Sequence, residues 1–417
     1  MARRVVITGL GVIAPNGSGK KEYWEATLSG TSGVDKLTRF DSSSYPTRIA
    51  GEVNHFNAPD YMERKEANRI SKFAQFALAC ALMAFEDAQL KINEENAHRI
   101  GIAIGTAIGG MDVAETQHGL FCKRGQPDRI SPFLAIGMNP NSAVGIIASR
   151  LKIKGHSTTL SAGCSSGLNA IAYGYDTIQA GKVDVMLAGG AEAPLNPLTF
   201  GSFCTTRVLS TRNKEPKKAS RPFERDRDGY VLGEGAGVVV LEKEEHALAR
   251  NAKIYGEVSG YGLTNDGYDI FHMEPTGDGI ARAMKIALQE ANLAPEEIDH
   301  INAHGSSACL TDKKETNAIK KVFDLHAYKM AISSIKSMIG QALAAAGAIQ
   351  FVTTILSIIH NFLPPTINYE YQDPECDLDY VPNHSRPKKI NAALINAFGL
   401  GGSNISIAVK RYIPMFA

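Results

Sequence analysis

This chain of 417 residues lacks the cysteine pattern of a disulfide frame or a zinc site. Its six cysteines (Cys80, Cys122, Cys164, Cys204, Cys309, Cys376) are scattered without a C-x-x-C pair, and no H-E-x-x-H occurs. They read as reduced thiols of a cytoplasmic protein that needs neither metal nor cofactor. Charge of one sign is missing as well. With 44 Lys+Arg against 43 Asp+Glu, no global field recruits nucleic acid or a membrane surface, so an acidic partner must meet a local patch. No uninterrupted apolar run is long either. Ala342 to Ile359 is broken by Gln350, Thr353, Thr354 and Ser357, which predicts a buried central helix rather than a membrane span. Arg3-Arg4 and the apolar residues after them faintly mimic a signal peptide. Thr8, Gly9, Gly11, Pro15 and Asn16 interrupt that pattern, and an opening strand explains it better.

What is present is the pattern of a soluble α/β enzyme, with 44% hydrophobic and 21% charged residues. Val5 to Ile7, Ile100 to Ile104, Val183 to Leu187 and Gly237 to Leu241 read as strands; Ile70 to Ala88 and Gly279 to Ala291 read as amphipathic helices. No low-complexity linker divides the chain. Each half nevertheless opens with a strand, carries a reactive candidate at a strand end near mid-length, and closes with a Gly-rich strand. A break near Arg250 to Lys253 therefore predicts two similar halves, 1–251 and 252–417. The charged run from Lys214 to Asp228 reads as a solvated loop.

Four segments bear on chemistry. Cys164 lies where a short strand, Ser157 to Ala162, gives way to a helix marked by Leu168, Ile171, Ala172, Tyr175 and Ile178, with Gly181 as its stop signal. A thiol beside the free N–H groups of a helix start is favoured as thiolate, the form that attacks carbonyls. The alternative is a small apolar residue filling a turn. Gly9-Leu10-Gly11-Val12-Ile13-Ala14 fits a G-x-G-x-x-A dinucleotide fingerprint, but Pro15 to Gly19 block the helix that would meet a pyrophosphate, which excludes nicotinamide binding. In Asp299 to Ser307, alternation puts His300, Asn302 and His304 on one face, with His304 at the strand end as an acid–base candidate. Asp312 and Glu315 are expected to cap a helix over Lys313 to Phe323. Lys336 marks another strand-to-helix junction, where it is either an exposed cap or a fixed charge in the core. The Gly-rich turn from Asn396 to Asn404 offers a main-chain oxyanion donor.

In this order and spacing the segments resemble the β-ketoacyl-acyl carrier protein synthases of the thiolase superfamily, of the synthase II type. The signatures are R-V-V-I-T-G-L-G from Arg4, R-P-F-x-x-x-R-D-G-Y-x-x-G-E-G-A-G over Arg221 to Gly237, N-A-H-G at 302–305 and C-D-L-D-Y-V-P at 376–382. The resemblance spans essentially the whole chain. It implies a five-layered αβαβα fold of two duplicated halves, usually a homodimer, with a heterodimer of related subunits as the other arrangement. It also implies a decarboxylative condensation of a Cys164-bound acyl group with malonyl-acyl carrier protein. By the same resemblance, the N–H groups of Cys164 and Leu400 hold the acyl oxyanion, Phe398 stands by the thiol, and Lys336 sits behind the histidine. An acidic carrier would dock on Arg64, Lys65, Arg69, Lys123, Arg124 and Arg207.

The chain departs from this pattern around one half-reaction. Gln341 stands where a second histidine is expected, Ala308 and Ser306 replace threonines facing the pantetheine arm, Gln350 replaces a glutamate beside Lys336, and Leu400 replaces a gating phenylalanine. Gln341 keeps an N–H donor but carries no charge and moves no proton. Two alternatives follow: an acyltransferase that passes the Cys164 acyl group to another acceptor, and a non-catalytic partner subunit shaping a conventional synthase. Retention of Cys164 and His304 argues against the partner.

Overall fold

The computed structural model describes residues 3–414. Ten strands carry the architecture: β1 (Val5–Ala14), β2 (Ile100–Gly105), β3 (Ser157–Leu160), β4 (Val185–Glu192) and β5 (Gly235–Lys243), then β6 (Gly256–Asn265), β7 (His300–Asn302), β8 (Ala331–Ser333), β9 (Ala392–Phe398) and β10 (Ser403–Lys410). They hydrogen-bond in the order β3-β2-β4-β5-β1-β6-β10-β9-β7-β8. Outward from the β1–β6 seam, each half has the same sequence: first strand, fifth, fourth, second, third. In both halves the second strand runs parallel to the third and fourth, and the fifth runs antiparallel to the fourth. The halves are thus a duplicated unit, joined where Val5, Val6 and Ile7 pair with Val258, Glu257 and Gly256.

Helices fill three layers around the two halves of this continuous sheet. α1 (Lys72–Asp87) covers one outer face, packing on β1, β4 and β5. α2 (Ser166–Gln179) and α5 (Ala344–His360) lie between the two halves against each other, and α3 (Asp278–Glu290) with α4 (Cys309–Phe323) covers the far face. This is the five-layered thiolase-type arrangement. The interior explains the unbroken hydrophobicity of the strands, because both faces of each half-sheet are covered. The α5 segment is the apolar run noted above; all but its last two residues are buried, and no helix among the described residues is long and apolar enough to cross a membrane. The Gly9-x-Gly11 pair has a packing role. A Cβ at either position would stand 2.1 or 2.0 Å from the carbonyl oxygens of Ala84 and Cys80, so α1 rests directly on β1.

Several elements differ from the sequence reading in extent. β1 continues past Thr8, Gly9 and Gly11 to Ala14, because the two glycines face a helix backbone rather than a turn and Thr8 bonds Glu242 on the neighbouring strand. The 214–228 run is a solvated loop only in part: Lys214, Glu215, Lys217, Lys218, Arg225, Asp226 and Asp228 are exposed. Arg221, Glu224 and Arg227 are buried, with Arg221 3.2 Å from Glu224 and Arg227 2.8 Å from Asp373, so opposite charges pair where solvent is excluded.

Glu242 on β5 ties the first strand to the end of the first half. Its carboxylate accepts from Thr8 at 2.5 Å and from Arg250 at 2.6 and 2.8 Å, with His246 2.6 Å away. Burial pushes this carboxyl up, but Arg250, His246 and Thr8 outweigh it and hold it at about 2. A depressed folded-state pKa stabilises the fold above the ordinary value of 4.5, and that stability is lost as pH falls towards about 2. Urea unfolding of Glu242→Gln is therefore expected to show lower stability at pH 7 and a shallower decline between pH 4.5 and 2 than the parent. Identical slopes would contradict the assignment.

Candidate active site

Cys164 sits on a tight elbow built by its neighbours. After β3, Gly163 takes φ +60°. Ser166 Oγ accepts from the Ala162 N–H at 2.8 Å and donates to Gly163 O at 2.6 Å, while Ser165 Oγ donates to Ala162 O at 2.7 Å. The hydroxyls close the turn on itself, and α2 starts two residues past the thiol. Across the elbow runs the Gly-rich turn between β9 and β10. A Cβ on Gly399 would lie 3.0 Å from Cys164 N, and one on Gly163 would lie 3.6 Å from Leu400 N. Among the described residues no main-chain carbonyl accepts from the N–H of Cys164 or Leu400. Two main-chain donors are thereby left side by side next to the sulfur, where an oxyanion on a Cys164-bound acyl group would form.

The resting charge of the thiol differs from the sequence expectation. Burial pushes Cys164 up to about 12; Lys336 pulls it down and Glu192 adds to the rise. Desolvation outweighs the helix start, so the sulfur rests as a thiol and becomes a nucleophile only as its proton leaves.

His304 lies two residues past the end of β7, with its peptide gripped on both sides. Glu315 accepts from the N–H groups of His304 and Gly305 at 2.9 and 2.8 Å, and Lys336 Nζ donates to His304 O at 2.5 Å. Lys336 also donates to Gln350 Oε1 at 2.8 Å. Burial pushes the Lys336 ammonium down, opposed chiefly by the charge of Glu315. Burial also pushes the Glu315 carboxyl up, against the N–H groups of Gly305 and His304. Of the two readings of Lys336, the core position is the one found. It stands on a separate turn, Lys336–Ile339, ahead of α5 rather than at its first residue.

Burial, with the Lys336 charge second, pushes His304 well below the usual histidine range, so its ring is neutral. Its tautomer follows from its partners. Nδ1 accepts the Phe398 N–H at 3.2 Å, which leaves the proton on Nε2. The Gln341 amide stands 3.5 Å from Nε2, and Gln341 Oε1 has no other partner. Turned with Oε1 inward, the amide accepts the His304 proton; turned the other way, its N–H joins Nε2–H in donating to a substrate carbonyl. His300 has a structural place. It is fully buried, paired with Ser333 Oγ at 3.0 Å, and pushed down to about 3 by burial and by Lys388 and Arg386.

Phe398 is buried with its ring 5.1 Å from that of His304, whereas Leu400 is 55% exposed at the mouth. Ser306 and Ala308 lie on the loop leading into α4, Ser306 N donating to Asp312 at 3.0 Å. The six basic residues are all exposed. Lys123 and Arg124 end the helix Met111–Arg124, and Arg207 follows the helix Pro197–Thr205, which Leu198 N ties to Glu115 at 2.9 Å. Arg64 and Lys65 open a short helix, and Arg69 stacks 4.4 Å over Phe133 beside the same long helix. Arg207 and Arg69 thus stand on segments that adjoin the helix Met111–Arg124.

Two acidic residues were misassigned from sequence. Asp312 and Glu315 do not cap α4, which starts earlier, at Cys309; both are buried within it and accept main-chain N–H groups of the His304 loop. Asp312 also accepts from Phe223 N at 2.8 Å, so the buried strap from Arg221 to Arg227 braces that loop. Glu192, likewise missed, ends β4 and accepts from Thr106 Oγ1 and Ala107 N at 2.8 and 2.7 Å. The cue for Glu315 was its spacing: on a helix, positions 312, 315 and 316 share one face, and that face points inward.

The chain matches the beta-ketoacyl synthase N-terminal domain over residues 2–247 and the beta-ketoacyl synthase C-terminal domain over residues 255–370. It is 46% identical over 410 residues to a 3-oxoacyl-[acyl-carrier-protein] synthase 2 of Synechocystis, covering 98% of each chain. It is also 46% identical over 409 residues to the protein of that name from Coxiella burnetii, covering 98% of this chain and 99% of that one. Among solved structures it superposes with a TM-score of 0.92 and 37% identity on a ketosynthase bound to the hexaketide and in complex with its type II polyketide acyl-carrier protein, over 99% of this chain and all of that one. A ketosynthase/chain length factor structure gives 0.92 at 35% identity, again over 99% and 100%. By fold and by sequence over nearly its full length, this chain belongs to the beta-ketoacyl synthase family.

Proposed function

We propose that the protein is a decarboxylating condensing enzyme: a 3-oxoacyl synthase that joins an acyl group carried on Cys164 to malonyl-acyl carrier protein, in fatty-acid or polyketide synthesis. What supports the reading is a Cys164 thiol at a helix start, the N–H groups of Cys164 and Leu400 beside the turn from Phe398 to Leu400, and a neutral His304 that accepts the Phe398 N–H and keeps its Nε2 proton beside the Gln341 amide. In the first half-reaction the Cys164 sulfur attacks the acyl thioester of the carrier. The carrier's C–S bond breaks, and the Cys164 proton ends on the departing carrier thiol. In the second, malonyl-carrier loses CO₂, and the enolate oxygen left on its thioester is held by His304 Nε2–H and the Gln341 amide. The enolate carbon attacks the Cys164 thioester, whose oxygen is held by the N–H groups of Cys164 and Leu400. The C–S bond then breaks, the sulfur takes up a proton, and β-ketoacyl-carrier leaves. Lys336, Glu315 and Gln350 act by fixing the His304 peptide.

Gln341 is read as the replacement of a second histidine, and with Ala308, Ser306, Gln350 and Leu400 it places this chain's departures around the malonyl half. We take 1–251 and 252–417 as its two halves. The acidic carrier docks on Arg64, Lys65, Arg69, Lys123, Arg124 and Arg207, and the partner subunit is a second copy or a related chain. The unpaired cysteines suit a reducing, cytoplasmic setting.

The test has two steps. Incubation with acyl-carrier protein should add one acyl mass to Cys164; absence of the adduct would favour the partner-subunit role. Malonyl-carrier protein added next should release CO₂ and β-ketoacyl-carrier, whereas acyl transfer without CO₂ would favour the acyltransferase.

A further inference from the structure

A cleft of about 600 Å³ lies between the start of α1, the helix Met111–Arg124 and the segment that leads from β4 into the helix Pro197–Thr205. None of Cys164, His304 and Gln341 lines it. Its back wall adjoins the catalytic pocket, because Phe40 and Leu195 belong to the apolar cluster against which Cys164 packs. Lys123 of the basic patch lines it as well.

Several of its polar side chains are engaged within the protein. Asp112 accepts from Lys72 N at 2.9 Å, Gln75 donates to Ala67 O at 2.9 Å, and the Lys72 ammonium stands 4.8 Å over the Phe56 ring. Three others are engaged by one atom only. Glu234 Oε1 accepts from Arg39 and from Val53 N at 2.5 and 2.9 Å, and Glu115 Oε1 accepts from Leu198 N at 2.9 Å. Asn196 Oδ1 accepts from Thr199 N at 3.3 Å, capping the helix that follows. The second atom of each group, Glu234 Oε2, Glu115 Oε2 and Asn196 Nδ2, is buried and has no partner among the described residues. Buried polar atoms are nearly always bonded, so three exceptions on the lining of one cleft mark unused binding capacity. Burial pushes the Glu234 carboxyl up in spite of Arg39, as expected of a carboxylate short of partners.

Two acceptors and one donor are therefore open. The lining cations Arg39, Lys72 and Lys123 balance the anions Asp112, Glu115 and Glu234, so net charge selects nothing and the open atoms decide. Carboxylate oxygens suit an ammonium, an amide N–H suits a carbonyl oxygen, and Phe40, Leu120 and Leu195 suit an apolar body. Among the described residues no three of His, Cys, Asp and Glu are placed to hold a metal ion, so an organic cation fits better than a metal. We propose that this cleft binds a small amphipathic primary amine with a carbonyl beside its ammonium group, the chemistry of an amino-acid amide.

The test titrates the intact protein, without turnover, with leucinamide, with 3-methylbutylamine, which lacks the carbonyl, and with 4-methylpentanamide, which lacks the ammonium. Leucinamide should bind saturably, and each deletion should weaken binding about tenfold. Glu115→Gln keeps an oxygen for Leu198 N and puts an N–H in place of the open acceptor, so it should weaken both amines about tenfold. Asn196→Asp keeps the cap on Thr199 N and removes the open donor, so it should abolish the preference for leucinamide over 3-methylbutylamine. No saturable binding of leucinamide by the parent, or variants that bind the three probes as the parent does, would overturn the proposal.

Discussion

Cys164→Ala should show no acyl adduct by intact mass and lose at least about 10⁴-fold in β-ketoacyl product, the scale seen when a covalent nucleophile is removed. The elbow supports so large an effect. Ser165 and Ser166 are already committed to main-chain partners at 2.6 to 2.8 Å, so neither hydroxyl is free to substitute for the sulfur. The thiol also rests protonated, pushed up to about 12 by burial. Alkylation by iodoacetamide should accordingly be slow at neutral pH and speed up towards high pH, in contrast to exposed Cys122. A Cys164→Ala protein that still loads acyl groups at the parental rate would remove the site from consideration.

The second large effect falls on Gln341. In the proposed reaction its amide is one of two donors to the enolate oxygen, and loss of one such donor typically slows reaction by about 10²–10³-fold. Gln341→Ala should therefore lower CO₂ release from malonyl-carrier by that order, with a larger effect on that step than on acyl loading of Cys164. Gln341→His should raise it, because a second ring N–H would then stand beside that of His304. Rates of CO₂ release unmoved by alanine, or unimproved by histidine, would show that the residue faces something other than the thioester.

The sequence was most informative where a single periodicity decided the outcome. The α1, α3 and α5 segments were each legible from helical spacing or from a long apolar run, and the Cys164 elbow from a strand ending at a glycine. It was least informative where charge is buried in pairs. Arg221, Glu224 and Arg227 look like surface residues by composition, but in the fold Arg221 pairs with Glu224, and Arg227 with Asp312 and Asp373. Asp312 and Glu315 carry the signature of a helix cap, and the earlier start of α4 at Cys309 turns the same two carboxylates inward to the His304 loop. The expected thiolate failed for a similar reason. A helix start is visible in a linear pattern, but the amount of protein crowded around the sulfur is not.

The duplicated strand order has one more consequence. α2 and α5 arise at equivalent points of the two halves, and their first turns abut: a Cβ on Gly167 would stand 2.4 Å from Ala344 O. The positive poles of two peptide dipoles are thus aimed at one spot. That part of the potential around the reacting thioesters is written in backbone rather than in side chains, so it does not depend on the neutral amides of Gln341 and Gln350. A protein built this way can exchange its ionisable neighbours one at a time and still present an anion-friendly cradle, which makes the scaffold a forgiving place for new carbon–carbon bond chemistry to arise.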